Sequence, residues 1–359
     1  MSWLARIGKV LVVLFAAVGV YQLWPKPAEV VNVYYPSDFS TAPDGVVGFQ
    51  SWNPKSGKDV MDGGANSVQQ TSGGLLVLPP QASKDNPVPA VVILHGSGGD
   101  WTGRSVYLAN RLAKHGIAGF AVDTFVARDL RSSDPYLERV KKASVYTQMV
   151  DGLKALEALQ QHPMIQGDKV AVTGFSLGAA ASLYSMFEPV AEGVLGKEGP
   201  RFSAYASFYA GCSFDFEDFR VEGSPVLIMM GEADESMSIP KCEAFREKLE
   251  AHGVDTDLKV YAGAGHGWEQ PYPQAFVEGA VVTKDCQMLW TKEGDNIEQT
   301  TGQNVDTVWG AIRAFSQCSH DDGYTNGLNV AAKEQSWQDF YQFLQDSWGI
   351  APQTANQSF

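Results

Sequence analysis

Residues 169–187, KVAVTGFSLGAAASLYSMF, run from an apolar stretch through a glycine-flanked serine into a series of small residues. The first part reads as a buried strand and the last as a helix packed closely on it. Between them Gly174-Phe175-Ser176-Leu177-Gly178 has the form G-x-S-x-G. A strand that turns sharply into a helix exposes a serine hydroxyl at the sheet edge, and glycines two positions to either side remove the Cβ atoms such a turn would crowd. The pentapeptide alone is a weak signal. Its strand-and-helix context makes Ser176 the candidate nucleophile.

Outward from this segment the same rhythm repeats. Strands are expected over 90–96 (AVVILHG), 116–125, 202–211, 225–232 and 257–266, and helices over 106–115, 143–161, 239–252 and 336–348. Strands alternating with helices predict an α/β architecture: a mostly parallel central sheet with helices on both faces. Residues 45–78 read as an opening β-hairpin and 79–89 as a surface loop. The stretch 270–326 is polar, carries Gly and Asn, and breaks the rhythm, so it reads as an insertion beside the active site. The domain is thus expected to span 45–350, with a tail at 351–359.

A serine nucleophile needs a base, and the chain has six histidines. His95 falls in a glycine-rich loop, and His115, His162 and His252 fall near helix ends. His320 lies in the insertion as a second candidate. His266, in GAGHGW at a strand end, is the favoured base. An acid must orient the imidazole. Asp234, after the strand PVLIMMG, is favoured over its neighbours Glu232 and Glu235. One oxyanion donor should be the Leu177 N–H, and the Ser97 N–H in His95-Gly96-Ser97-Gly98-Gly99 is expected to supply the other. A phosphate-cradling role for that loop is disfavoured because no Lys-Ser/Thr follows it.

Composition bounds the alternatives. With 44% hydrophobic and 19% charged residues, the chain of 359 has material for one large core. A net charge of -14, from 27 basic and 41 acidic residues, argues against a nucleic-acid partner. Val10 to Trp24 is an uncharged apolar run directly after Arg6 and Lys9, as in an export signal or signal anchor. An anchor over 1–24 and a linker over 25–44 would place the domain outside the cytoplasm, in the periplasm if the source is bacterial. The four cysteines follow this segment, so an oxidising compartment would let them pair. Cys212–Cys242 and Cys286–Cys318 is the favoured pairing, since each closes one local excursion; other pairings and four free thiols stay open. The absence of a CxxC or Cys/His cluster argues against zinc.

The motifs LHGSGGDW, VDTFVARD, GFSLG, FYAGC, MMGEADE and AGAGHGW, in this order, resemble the dienelactone hydrolase family within the α/β-hydrolase superfamily. The likeness covers roughly Gly74 to Gly267 and the closing helix. It implies the α/β-hydrolase fold, a triad of Ser176, Asp234 and His266, and an oxyanion hole at Ser97 and Leu177. It also draws attention to Arg128 as a substrate residue, although Arg128 could equally pair with Asp123 or Asp129. Trp101, Trp268 and Phe125 are further candidates for shaping the pocket. The best-known members of the family use a cysteine nucleophile and a glutamate in the oxyanion loop, where this chain has Ser176 and Gly96. Both departures point away from a dienelactone substrate. The expected activity is therefore hydrolysis of a small carboxylic ester through an acyl-enzyme, with no metal or organic cofactor required. An exported peptidase or acyltransferase on the same fold, or a non-catalytic binding protein, is the alternative.

Overall fold

A segment apolar at every position is stable only where both faces are covered and its backbone groups are paired on both sides. In the computed structural model, which describes residues 44–350, Val88–Leu94 is such a segment, buried at all seven positions. The strands in chain order are β1 (Gly45–Asn53), β2 (Val68–Val77), β3 (Val88–Leu94), β4 (Ala118–Val122), β5 (Ile165–Gly174), β6 (Ala204–Phe208), β7 (Phe214–Phe216), β8 (Val226–Gly231) and β9 (Thr256–Tyr261). All but β7 join one sheet in the order β1-β2-β4-β3-β5-β6-β8-β9. β1 and β2 pair antiparallel, as does β2 with β4, and every other neighbouring pair is parallel. The expected hairpin is thus present, with a short helix, Gly57–Met61, in its connection.

The pleat sends alternate residues to opposite faces. Val88, Ala90, Val92 and Leu94 of β3 enter one core with Met149, Leu153, Leu183, Phe245 and Leu249 from the helices Val145–Leu159, Leu177–Tyr184 and Ile239–Ala251. Val91 and Ile93 enter the other, against Leu108 and Leu112 of Tyr107–Lys114 and Trp337, Phe340 and Leu344 of Val330–Trp348. Helices therefore cover both faces.

Two boundaries differ most from expectation. The last strand stops at Tyr261, not His266, because its partner β8 ends at Gly231, opposite Tyr261. The closing helix begins at Val330 rather than Ser336. Asn329 caps it by accepting the Ala332 N–H at 3.1 Å, and the first turn is largely solvent-facing, so apolar spacing does not mark it.

The insertion is more ordered than its composition implies. It forms β10 (Ala275–Val277), β11 (Met288–Trp290), β12 (Asn296–Glu298), β13 (Gln303–Asn304), the helix Val308–Cys318 and β14 (Tyr324–Asn326). β10 pairs with β14, while β11 to β13 join β7 in a four-stranded sheet. Strands of two or three residues are too short to show alternation in sequence. The cysteines pair as favoured, Cys212–Cys242 and Cys286–Cys318. The expected anchor over 1–24, nearly all of the linker and the tail lie outside the described residues. No helix among the described residues is long and apolar enough to cross a membrane.

Candidate active site

Ser176 stands between β5 and the helix Leu177–Tyr184 with φ 54° and ψ -113°. A non-glycine residue there carries strain of about 1–3 kcal/mol, which surrounding contacts must hold. The Ser176 N–H donates to the Phe208 carbonyl at 3.0 Å and the Gly178 N–H to Phe175 at 2.9 Å. Both flanking glycines are required by space. A Cβ on Gly174 would lie 2.3 Å from the Gly178 oxygen, and one on Gly178 would lie 2.6 Å from the oxygens of Leu94 and His95.

His266 lies five residues beyond β9, on a loop that the insertion grips from outside. Its N–H donates to the Thr325 carbonyl at 2.7 Å, and its own carbonyl accepts from Gly327 at 3.0 Å. The imidazole Nδ1 lies 2.8 Å from Asp234 Oδ2, and both residues are buried. Glu232 and Glu235 are engaged elsewhere: Glu232 accepts from the Gly263 N–H, and Glu235 from the N–H and hydroxyl of Thr325. His320, the second candidate base, faces Asp285 at 3.4 Å in an exposed pair.

Sequence reading missed Ser236. Its N–H and hydroxyl both donate to Asp234 Oδ1, at 3.0 and 2.5 Å, and the hydroxyl also lies 3.2 Å from His266 Nδ1. One oxygen of the acid is thereby held by Ser236 while the other faces the ring. Ser236→Ala removes a hydrogen bond to a charged group and is expected to lower kcat/KM roughly tenfold. Steady-state kinetics on an aryl ester check this, with the melting temperature measured alongside so that lost rate is separated from lost stability.

The loop after β3 adjoins Ser176. A Cβ on Gly96 would lie 3.2 Å from the Phe175 oxygen and 3.6 Å from Ser176 Cβ, so a side chain as large as glutamate would press on the elbow. Ser97 follows directly. Leu177 is the first residue of its helix, where an N–H has no acceptor within the helix. Arg104, also missed, links this loop to the histidine loop. Its guanidinium lies 3.5 Å from the Cβ position of Gly96 and 3.2 Å from that of Gly267. Its Nε pairs with Glu269 at 3.0 Å, and the Tyr209 hydroxyl donates to the same Glu269 oxygen at 2.7 Å. Burial opposes the Arg104 charge, but the carboxylates of Glu269 and Asp100 face it and its pKa is raised on balance. Burial, with Glu269 adding to it against Arg104, pushes the Tyr209 phenol well above its usual range, so it stays a donor. The Tyr209 ring packs 4.5 Å from the His266 ring, and Tyr324 from the insertion meets His266 edge-on at 5.4 Å.

The four residues proposed to shape the pocket are held as follows. Arg128 is directed inward: Nη1 and Nη2 pair with Asp151 at 2.8 and 3.0 Å, Nε donates to Asn53 at 2.7 Å, and Nη1 also donates to Thr124 O. Its partner is Asp151, not Asp123 or Asp129, and its donors are taken by protein acceptors. Asp123 instead accepts from the backbone of Phe125 and Val126. Trp268 is fully buried, with its indole N–H on the Ser336 hydroxyl, so it packs behind the site. The indole N–H of half-buried Trp101 donates to the Ala121 carbonyl at 2.9 Å, turning its polar edge to the sheet. Phe125 is buried against His95.

The Arg128–Asp151 pair carries a stability consequence. Asp151 is fully buried and also accepts from the Ser51 hydroxyl at 2.6 Å. Asp151→Ala would strand a buried guanidinium, with an expected loss of about 3–5 kcal/mol in urea unfolding. The double variant Arg128→Met/Asp151→Leu should recover most of it.

The model of the dienelactone hydrolase family matches residues 73–347. Among curated proteins, a protein of Aquifex pyrophilus called usf is 26% identical over 198 residues, covering 50% of this chain and 76% of its own. A probable 2-oxo-3-(5-oxofuran-2-ylidene)propanoate lactonase of Bradyrhizobium sp is 22% identical over 173 residues, covering 46% and 67%. Among solved structures, a dienelactone hydrolase-like promiscuous phosphotriesterase from metagenomic libraries superposes with a TM-score of 0.53 at 16% identity, covering 84% of this chain and 98% of that one. That likeness speaks to the fold alone. With the family match spanning most of the chain, the protein belongs to the dienelactone hydrolase family of α/β-hydrolases and is a hydrolase.

Proposed function

We propose that this chain hydrolyses carboxylic esters through a serine acyl-enzyme. Asp234 accepts a hydrogen bond from the His266 Nδ1–H, which leaves Nε2 free to take the proton of Ser176. The Ser176 oxygen attacks the acyl carbon, and the N–H groups of Leu177 and Ser97 stabilise the oxyanion that forms. His266 then returns the proton to the leaving alcohol, and water attacks the acyl-enzyme by the same route in reverse. The observation that carries this reading is the buried contact of 2.8 Å between His266 and Asp234, in a fold whose nucleophile position holds Ser176 at φ 54°.

The substrate is proposed to differ from a dienelactone. Serine replaces the cysteine of the family's best-known members, and Gly96 leaves the elbow without an adjoining carboxylate. Two disulfides and the apolar run after Arg6 and Lys9 support a site of action outside the cytoplasm, with residues 1–24 as signal or anchor.

A fluorophosphonate probe tests the chemistry. The folded protein should be labelled at one serine and should cleave aryl acetates. A folded protein that takes no label would remove the serine mechanism. Good cleavage of peptide amides with negligible cleavage of esters would move the assignment to a peptidase.

A further inference from the structure

The helix Val308–Cys318 inverts the usual amphipathic arrangement. Its buried positions, Gly310, Ala314 and Cys318, are small and spaced by four. Its large apolar residues face outward, with Val308 70% exposed, Trp309 73%, Ile312 52% and Phe315 37%. Residues 308, 312 and 315 form one stripe along the helix, with Trp309 beside it. The inner face is fixed by other means. The Thr307 hydroxyl accepts the Gly310 N–H at 3.1 Å, a Cβ on Gly310 would lie 1.9 Å from the Asn304 oxygen, and Cys318 is bonded to Cys286. The fold therefore does not bury these four side chains, yet it presents them on a helix that is firmly held.

We propose that this face docks into the interfacial region of a lipid bilayer with zwitterionic headgroups. Three observations favour lipid over a second copy of the chain. The patch offers on the order of 450 Å², about half of the ~800 Å² per partner that a stable dimer buries. The helix contains no acidic residue and only Arg313 as a charge, within a chain of net charge -14. That overall charge disfavours an anionic surface, so neutral headgroups suit it. Finally, 43 residues precede the described part, and they include the apolar run Val10–Trp24. This third argument rests on the membrane reading made under Proposed function. A linker over 25–44 reaches at most roughly 70 Å when extended, so a tethered domain stays near the bilayer, and four interfacial side chains suffice to dock it. The same insertion supplies the Thr325 carbonyl that accepts from the His266 N–H at 2.7 Å, so a docked helix sets the catalytic loop close to the lipid.

The test uses the full chain reconstituted with phosphatidylcholine vesicles, with and without brominated acyl chains, in a Trp3→Phe/Trp24→Phe background. Among the described residues Trp309 is the tryptophan counted with the exposed large apolar side chains, so it should dominate quenching by lipid. Adding Trp309→Phe is expected to cut that quenching by roughly half or more, and Ile312→Glu to abolish most of it, with probe labelling of Ser176 unchanged. Flotation with the vesicles but no effect of either substitution would overturn the docking and leave the N-terminal reading intact. Failure to float would overturn both. A dimer in sedimentation that Ile312→Glu converts to monomer would assign the patch to a second copy and overturn the lipid proposal.

Discussion

Ser176→Ala is expected to lower kcat/KM on an aryl ester by roughly 10⁴- to 10⁶-fold and to abolish fluorophosphonate labelling. The substitution deletes one oxygen and leaves the backbone demand unchanged, since alanine at φ 54° is about as strained as serine. The hydrogen bonds that hold the elbow come from backbone groups of Phe175, Ser176, Gly178 and Phe208, so melting should shift little. The residual rate would come from the N–H groups of Leu177 and Ser97, which still stabilise an oxyanion raised by water. Kinetics and labelling on matched, folded samples decide it. A variant that still takes the label at the native rate would show that another residue is the nucleophile.

Asp234→Asn should cost roughly 10⁴-fold in kcat/KM with the fold intact. Ser236 fixes the direction of the effect. Its N–H and hydroxyl both donate to Oδ1, so the oxygen of an asparagine would stay on that side. The amide NH₂ would then face His266 Nδ1 and donate to it. The ring proton moves to Nε2, and the nitrogen that should accept from Ser176 becomes a donor. Asp234→Asn/Ser236→Ala removes one of the two donors that fix the amide, leaving the backbone N–H in place, and should recover only a small part of the loss, which a double-mutant cycle would read as coupling. Equal rates for wild type and Asp234→Asn would remove Asp234 from the proposed mechanism.

The sheet was legible because its strands are buried on both faces and so carry no polar alternation to confuse them: β3, β4, β6 and β8 are buried at every position. Ser176, Asp234 and His266 were legible as candidates because each follows a strand in the expected chain order, and the structure brings Asp234 and His266 into contact. Ser236 was not, since a serine two residues from an acid occurs in many turns. Arg104 and Glu269 were not, because the ion pair spans 165 residues of sequence and neither residue belongs to a local motif. The partner of Arg128 was hidden for a different reason. Arg128 lies in a recognisable motif, but its acceptors on β1 and the helix Val145–Leu159 are remote in sequence. Trp268 stands next to the histidine loop in sequence and behind it in space. The helix Val308–Cys318 was hidden because its inner face is built of small residues.

The bond between Cys212 and Cys242 makes a covalent ring of the segment that contains β8 and Asp234. A ring of 30 residues restricts the unfolded chain by about 3.5 kcal/mol of conformational entropy. Cys212 enters it four residues after β6, whose last carbonyl accepts the Ser176 N–H. Even a largely melted molecule therefore keeps Asp234 tethered to the strand beside Ser176, and recovery after heat or denaturant begins from that tether. A chain made under reducing conditions would begin without it.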